Sequence, residues 1–126
     1  MKRQIQLDSF GHIGVVVKDI DATIMSWESL LGASPFKISG GGGLKLAHGM
    51  VGGQLFELLQ PLENKSLWAK FLAVHGEGIH HVCSYVPDVD VAVATLVAQG
   101  GKHLIGGWGC GLMLKSEDPV VSLWNY

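Results

Sequence analysis

HVCSYVPDVD, residues 81–90, lays without a gap over HIGVVVKDID, residues 12–21. His81 falls on His12, Val86 on Val17, Asp88 on Asp19 and Asp90 on Asp21. Each stretch reads as the end of a β-strand running into a helix, with β-branched or aromatic residues first and an acidic pair after them. The strands extend over 10–20 and 79–89. A helix follows each. In residues 21–32, Ile24, Trp27, Leu30 and Leu31 recur at helical spacing, Asp21 is the expected cap and Gly32 the stop. In residues 90–101 the corresponding positions are Asp90 and Gly100.

The pattern continues outward from this pair. After the first helix come short strands at 35–38 and 44–48 around the glycine turn GGGG (40–43), then a strand at 54–60 that follows Gly52-Gly53 and ends at Pro61. After the second helix come strands at 102–105, 111–115 and 120–124. A helix at 63–76, carrying Leu67, Phe71, Leu72 and Val74, joins the halves. The chain thus reads as an α+β fold and a single domain over 1–126. Module one covers about 8–61, a helical connector 62–77 and module two about 78–126.

The chain has 126 residues, the size of one domain, with 48% apolar and 16% charged residues. These values favour a well-buried globule. Net charge is −2, and Lys and Arg are scattered singly, which speaks against nucleic acid and against a polybasic membrane surface. No apolar run is long enough to span a bilayer, and MKRQIQLDSF does not lead into a signal-type apolar core. The two cysteines, Cys83 and Cys110, do not suggest a disulfide framework. A cytoplasmic protein is expected, with Cys83 and Cys110 as small core residues. Trp27, Trp68 and Trp124 are expected in the core or at an interface, and exposed sheet edges suggest a homodimer.

The repeat also singles out chemistry. His12 and His81 occupy equivalent positions and would converge if the modules pack about a common centre. His80 then points to the opposite face of its strand, because successive strand side chains alternate. LFELLQ (55–60) matches VSLWNY (121–126) by pattern, and this pairs Glu57 with Ser122. A carboxylate between Phe56 and Leu58 is costly unless paired, protonated or bound to metal. Two imidazoles and a carboxylate suit a divalent ion such as Zn, Ni, Co, Mn or Fe, with ligands His12, Glu57 and His81. His48, on the third strand, is a candidate base. Ser122 and Trp108, the latter within GGWGCG (106–111), are candidate pocket residues.

FGHIGVVVKDID, QLFELLQPL, WAKFLAVHGEGIHHVCSYV and VAVATLVAQGGK together resemble the vicinal oxygen chelate superfamily, the glyoxalase, bleomycin-resistance and dioxygenase group. The resemblance covers nearly the whole chain and is most similar to methylmalonyl-CoA epimerase-like members. It implies two βαβββ modules forming a curved mixed sheet around a central cup, with metal ligands at His12, Glu57 and His81. The family's fourth ligand is a glutamate in the last strand, where this chain has Ser122. The epimerases draw another acidic base from the middle of module one, where this chain reads ISGGGGLKLAHG (38–49), without an acid.

The resemblance therefore implies a metal-dependent isomerase, epimerase or lyase acting by proton transfer, assisted by Glu57 and His48, on a small oxygenated or acyl-thioester substrate. No phosphate cradle is recognisable, so coenzyme A rests on the resemblance alone. The alternative is a metal-free small-ligand binding protein of the bleomycin-resistance type. A ring-cleaving dioxygenase ranks below both, since it usually has the last-strand glutamate and a longer chain.

Overall fold

The computed structural model describes residues 9–105, 109–113 and 120–125, with side chains over 11–101. Its element order is β1 (Ser9–Val16), α1 (Ile20–Leu31), β2 (Lys37–Gly41), β3 (Leu44–Val51), β4 (Gln54–Pro61), α2 (Leu67–His75), β5 (Gly78–Val86), α3 (Val89–Ala98), β6 (Lys102–Ile105), β7 (Gly109–Met113) and β8 (Val120–Asn125). This is an α+β fold in which the order β, α, β, β, β occurs twice, with α2 between the two occurrences. The chain divides into two compact units, His12–His80 and Met1–Gly11 with His81–Tyr126.

In the unit His12–His80 the strands lie in the order β2-β3-β4-β1. β4 runs antiparallel to β3 and parallel to β1, so the sheet is mixed. Both hairpins turn on a pair of glycines, Gly42-Gly43 and Gly52-Gly53, whose φ values are 60° and 84°, and 56° and 79°. Positive φ at both central residues is the two-residue turn whose twist matches the flanking strands. The glycine run read as a flexible turn is thus partly strand: Gly40 and Gly41 belong to β2. Alternation along β1 and β4 sends Ile13, Val15, Phe56 and Leu58 to one face. There they meet Val17, Ile20, Ile24, Trp27, Phe36 and Ala47 in the core of this unit. Trp27 sits edge-on to Phe56, ring centroids 5.3 Å apart.

The inward stripe of α1 is Ile20, Ile24 and Trp27, at spacings of four and three residues. Leu30 and Leu31, expected on that stripe, are 79% and 57% exposed. α2 differs from expectation in the same way. It starts at Leu67 with Ser66 as cap, Leu67 and Val74 are exposed, and the half-buried residues are Trp68, Ala69, Phe71 and Leu72.

In the other unit the order is β5-β8-β7-β6, with β5 and β8 parallel. Val86, Val89 and Ala92 form its core, covered by Val93 and Leu96. Ser84 is fully buried on β5, at the position equivalent to Val15 in the repeat.

Two corrections concern the caps. Asp19 caps α1, accepting from the Ala22 amide, and Asp88 caps α3, accepting from the Val91 amide. The expected caps, Asp21 and Asp90, lie inside the first turns. The reason is burial: Ile20 and Val89 enter the core as first helical residues, so each helix must begin immediately after the first aspartate of its pair. α3 ends at Ala98 and its C-cap is Gln99 rather than Gly100. Asp19→Ala and Asp88→Ala should each lower the urea unfolding free energy by about 1 kcal/mol. Asp21→Ala and Asp90→Ala should stay within about 0.5 kcal/mol of the native chain. The exposed Lys45–Asp21 ion pair, 2.9 Å, adds little to that. A larger loss at Asp21 than at Asp19 would contradict this assignment.

Candidate active site

The face of β1, β3 and β4 turned away from α1 carries His12, His48 and Glu57. The core residues Ile13, Ala47, Phe56 and Leu58 occupy the opposite face, and strand alternation does the rest. The register fixes who meets whom. Glu57 pairs with His48 on one side and with Gly14 on the other. Gly14 carries no side chain, so the carboxylate has room to lean along β1 towards His12.

The two histidines stand differently to that carboxylate. His48 Nε2 is 2.8 Å from Glu57 Oε2, an ordinary hydrogen-bond length. An ionised carboxylate only accepts, so against an ionised Glu57 the His48 Nε2–H is the donor. His12 Nε2 is 3.5 Å from Glu57 Oε1, too long for such a bond. Two donors bound to one ion at the usual zinc distances, in tetrahedral arrangement, stand about 3.4 Å apart. The His12–Glu57 spacing is compatible with two donors on one ion, and the His48–Glu57 spacing is that of a hydrogen-bonded pair. The imidazoles of His12 and His48 lie edge to face, centroids 6.4 Å apart.

Burial sharpens the contrast. The side chains of His12 and Glu57 are 9% and 12% exposed, that of His48 36%. The hydrogen bond from His48 offsets part of the cost of burying the carboxylate. The sequence reading proposed His48 as a base but missed it as the partner of Glu57. The signal was present: counting outward from a two-residue turn at Gly52-Gly53 pairs Val51 with Gln54 and, three steps on, His48 with Glu57.

His81 is buried on β5, 7% exposed. Its neighbour His80 rests edge-on against Phe71 of α2, centroids 5.1 Å apart. His75 also stacks on Phe71, at the exposed end of α2.

The registers settle the relation of Ser122 to Glu57. Ser122 pairs with Cys83 on β5, as Glu57 pairs with Gly14 on β1. Cys83 and Gly14 are equivalent in the repeat, so Ser122 stands where module one has Glu57. Overlaid letter by letter, 55–60 and 121–126 set Glu57 against Leu123, so the pairing with Ser122 comes from the strand register and not from that overlay. By the same logic Gly111, which pairs with Ser122, stands where module one has His48. The side chain of Ser122, and Trp108 altogether, lie outside the described residues.

A groove of about 520 Å³ lies beside the start of α1, lined by Val17, Lys18, Thr23, Trp27 and Glu77 among others. It contains none of His12, His48 or Glu57. Its two acidic residues are engaged, since Glu77 Oε2 accepts from the Lys18 amide at 2.9 Å and Asp19 caps α1 through the Ala22 amide. Among the described residues, no helix is long and apolar enough to cross a membrane.

Residues 11–111 match the family described as Glyoxalase/Bleomycin resistance protein/Dioxygenase superfamily. No curated protein matches the chain. Among solved structures, a methylmalonyl-CoA epimerase in complex with methylmalonyl-CoA and NH4+ is 26% identical, with TM-score 0.83 over 95% of each chain. A variant of the Streptomyces coelicolor methylmalonyl-CoA epimerase in complex with 2-nitronate-propionyl-CoA is 26% identical, with TM-score 0.82 over 95% of this chain and 98% of that one. The Mycobacterium tuberculosis methylmalonyl-CoA epimerase is 23% identical, with TM-score 0.80 over 99% of this chain and 92% of that one. At that identity the likeness is one of fold.

Proposed function

This chain belongs to the Glyoxalase/Bleomycin resistance protein/Dioxygenase superfamily, and from that membership we propose a metal-dependent isomerase or epimerase that moves a proton beside a carbonyl. The observation that carries this reading is Glu57: a nearly buried carboxylate whose two oxygens face two histidines at two different distances. His12, Glu57 and His81 are the proposed ligands of one divalent ion. Their donor set, two imidazoles and a carboxylate, is a standard one for zinc and its neighbours. When bound, such an ion supplies positive charge that favours an enolate-like oxygen.

The chain's own residues do the rest. His48, with Nε2 committed to Glu57, takes a proton at Nδ1, much as a carboxylate-oriented histidine does in other proton-transfer sites. Its partial exposure lets a substrate reach it. The epimerases of similar fold, crystallised with methylmalonyl-CoA and a nitronate analogue, support an acyl thioester as the substrate class to try first. A second reading, a metal-free binder of small ligands, draws on Ser122 standing where a second carboxylate would complete the ligand set.

Elemental analysis of untagged protein separates the two. About one divalent ion per chain is expected, lost in His12→Ala and in His81→Ala. A native protein without metal after incubation with zinc, cobalt, nickel or manganese would overturn the enzyme reading and favour the binder.

A further inference from the structure

We propose that His48 is also a positioning residue for the metal ligand: it holds Glu57 through Oε2, so that Oε1 alone is offered to the ion beside His12. This rests on the ligand set proposed above and adds to the proton-accepting role of His48. Three observations support it. The hydrogen bond, 2.8 Å, lies on Oε2, while His12 faces Oε1. It joins directly paired residues of adjacent antiparallel strands, so the backbone ladder sets its reach rather than a loop. And the carboxylate is more buried than the imidazole that holds it, so water cannot easily replace the donor. A carboxylate free to rotate can bind an ion through both oxygens or swing away. One oxygen held by a donor leaves a single-point ligand in a fixed direction, and such outer partners commonly carry 10–100-fold in metal affinity.

The equivalent pair in module two is Ser122 with Gly111. Neither residue type can reproduce a carboxylate held by an imidazole. The device therefore belongs to module one, and His48 is the side chain on which it turns.

The test uses the full chain and Co²⁺ as the probe, read by titration and by the visible ligand-field spectrum. His48→Phe keeps the ring and removes the donor. His48→Gln replaces the donor with an amide N–H of similar reach, but has no basic nitrogen. The expected result is Co²⁺ affinity lowered roughly 10–100-fold in His48→Phe, with an altered ligand-field spectrum, and affinity within about threefold of native in His48→Gln. Proton-exchange activity on an acyl thioester should be lost in both. Equal affinity in His48→Phe and the native protein would overturn the positioning role while leaving the metal reading intact. So would a His48→Gln variant as weak as His48→Phe. A native protein that binds no Co²⁺ would overturn both. Thermal unfolding of the metal-free variants controls for folding, and His48→Ala gives the same comparison if phenylalanine is not accommodated.

Discussion

Glu57→Leu should unfold at a higher temperature than the native chain when both are held in chelator, and should gain nothing from added divalent metal. The first half follows from the cost of the carboxylate. Glu57 is nearly buried in a strand whose neighbours are Phe56 and Leu58. Replacing a whole buried ion pair by apolar groups of similar volume is often neutral or stabilising, by about 1–4 kcal/mol, and removing one partner is costly where the other is left buried and unpaired, which the 36% exposed His48 is not. Here the gain should be near the low end, because His48 loses its acceptor and turns to solvent. The second half follows from ligation. Loss of a direct ligand should exceed the roughly 10–100-fold that a supporting residue carries. Metal at 1,000 times its dissociation constant stabilises the native protein by about 4 kcal/mol, and the variant forgoes that. Paired melting curves with chelator and with zinc measure both effects. A variant less stable than native in chelator would mean that the carboxylate is a structural group satisfied by its histidines, and that metal is not why it is there.

The neighbouring residue should behave in the opposite manner. Leu58→Ala should cost about 2–5 kcal/mol of unfolding free energy while leaving metal affinity of the folded protein nearly unchanged. Leu58 is fully buried, paired with Val15 on one side and Ala47 on the other, and belongs to the cluster with Ile20, Ile24 and Trp27. The space it leaves is bounded by strands on both sides and by α1 above, so it cannot close by a small shift. Urea denaturation of the metal-free protein gives the loss, and Co²⁺ titration below the transition gives the affinity. A loss under 1 kcal/mol would mean that the α1 face packs more loosely than its burial implies. Residues 57 and 58 thus separate binding from stability within one step along a strand.

How much of this was legible beforehand depends on whether the signal was local. The repeat revealed the element order, because strand and helix periodicities recur with the same spacing from His12 and from His81. The cap pairs were read two residues late. Asp19-Ile20-Asp21 and Asp88-Val89-Asp90 each offer two aspartates, and burial of the residue between them decides which one caps. The stripe of α1 was misjudged at its last two residues, Leu30 and Leu31, which have the helical spacing but are exposed. The pairing of His48 with Glu57 was countable from the Gly52-Gly53 turn once that turn was known to be of two residues. The difference between a hydrogen bond to one histidine and a ligand-like gap to the other was not countable. It depends on side-chain rotamers within about 1 Å, which no spacing rule reaches.

The equivalence of Ser122 with Glu57 and of Gly111 with His48 bears on ancestry. A chain that doubled itself would have begun with two copies of every group. These two copies still share their helix caps, their strand order and the histidine near the start of the first strand, yet differ at the paired positions on the third and fourth strands. Scaffold and chemistry are therefore separable within one chain: the two modules agree in the first and differ in the second. One copy carries the proposed carboxylate ligand and the histidine that holds it. The other, relieved of that duty on β7 and β8, is where changes of substrate could accumulate without dismantling the molecule.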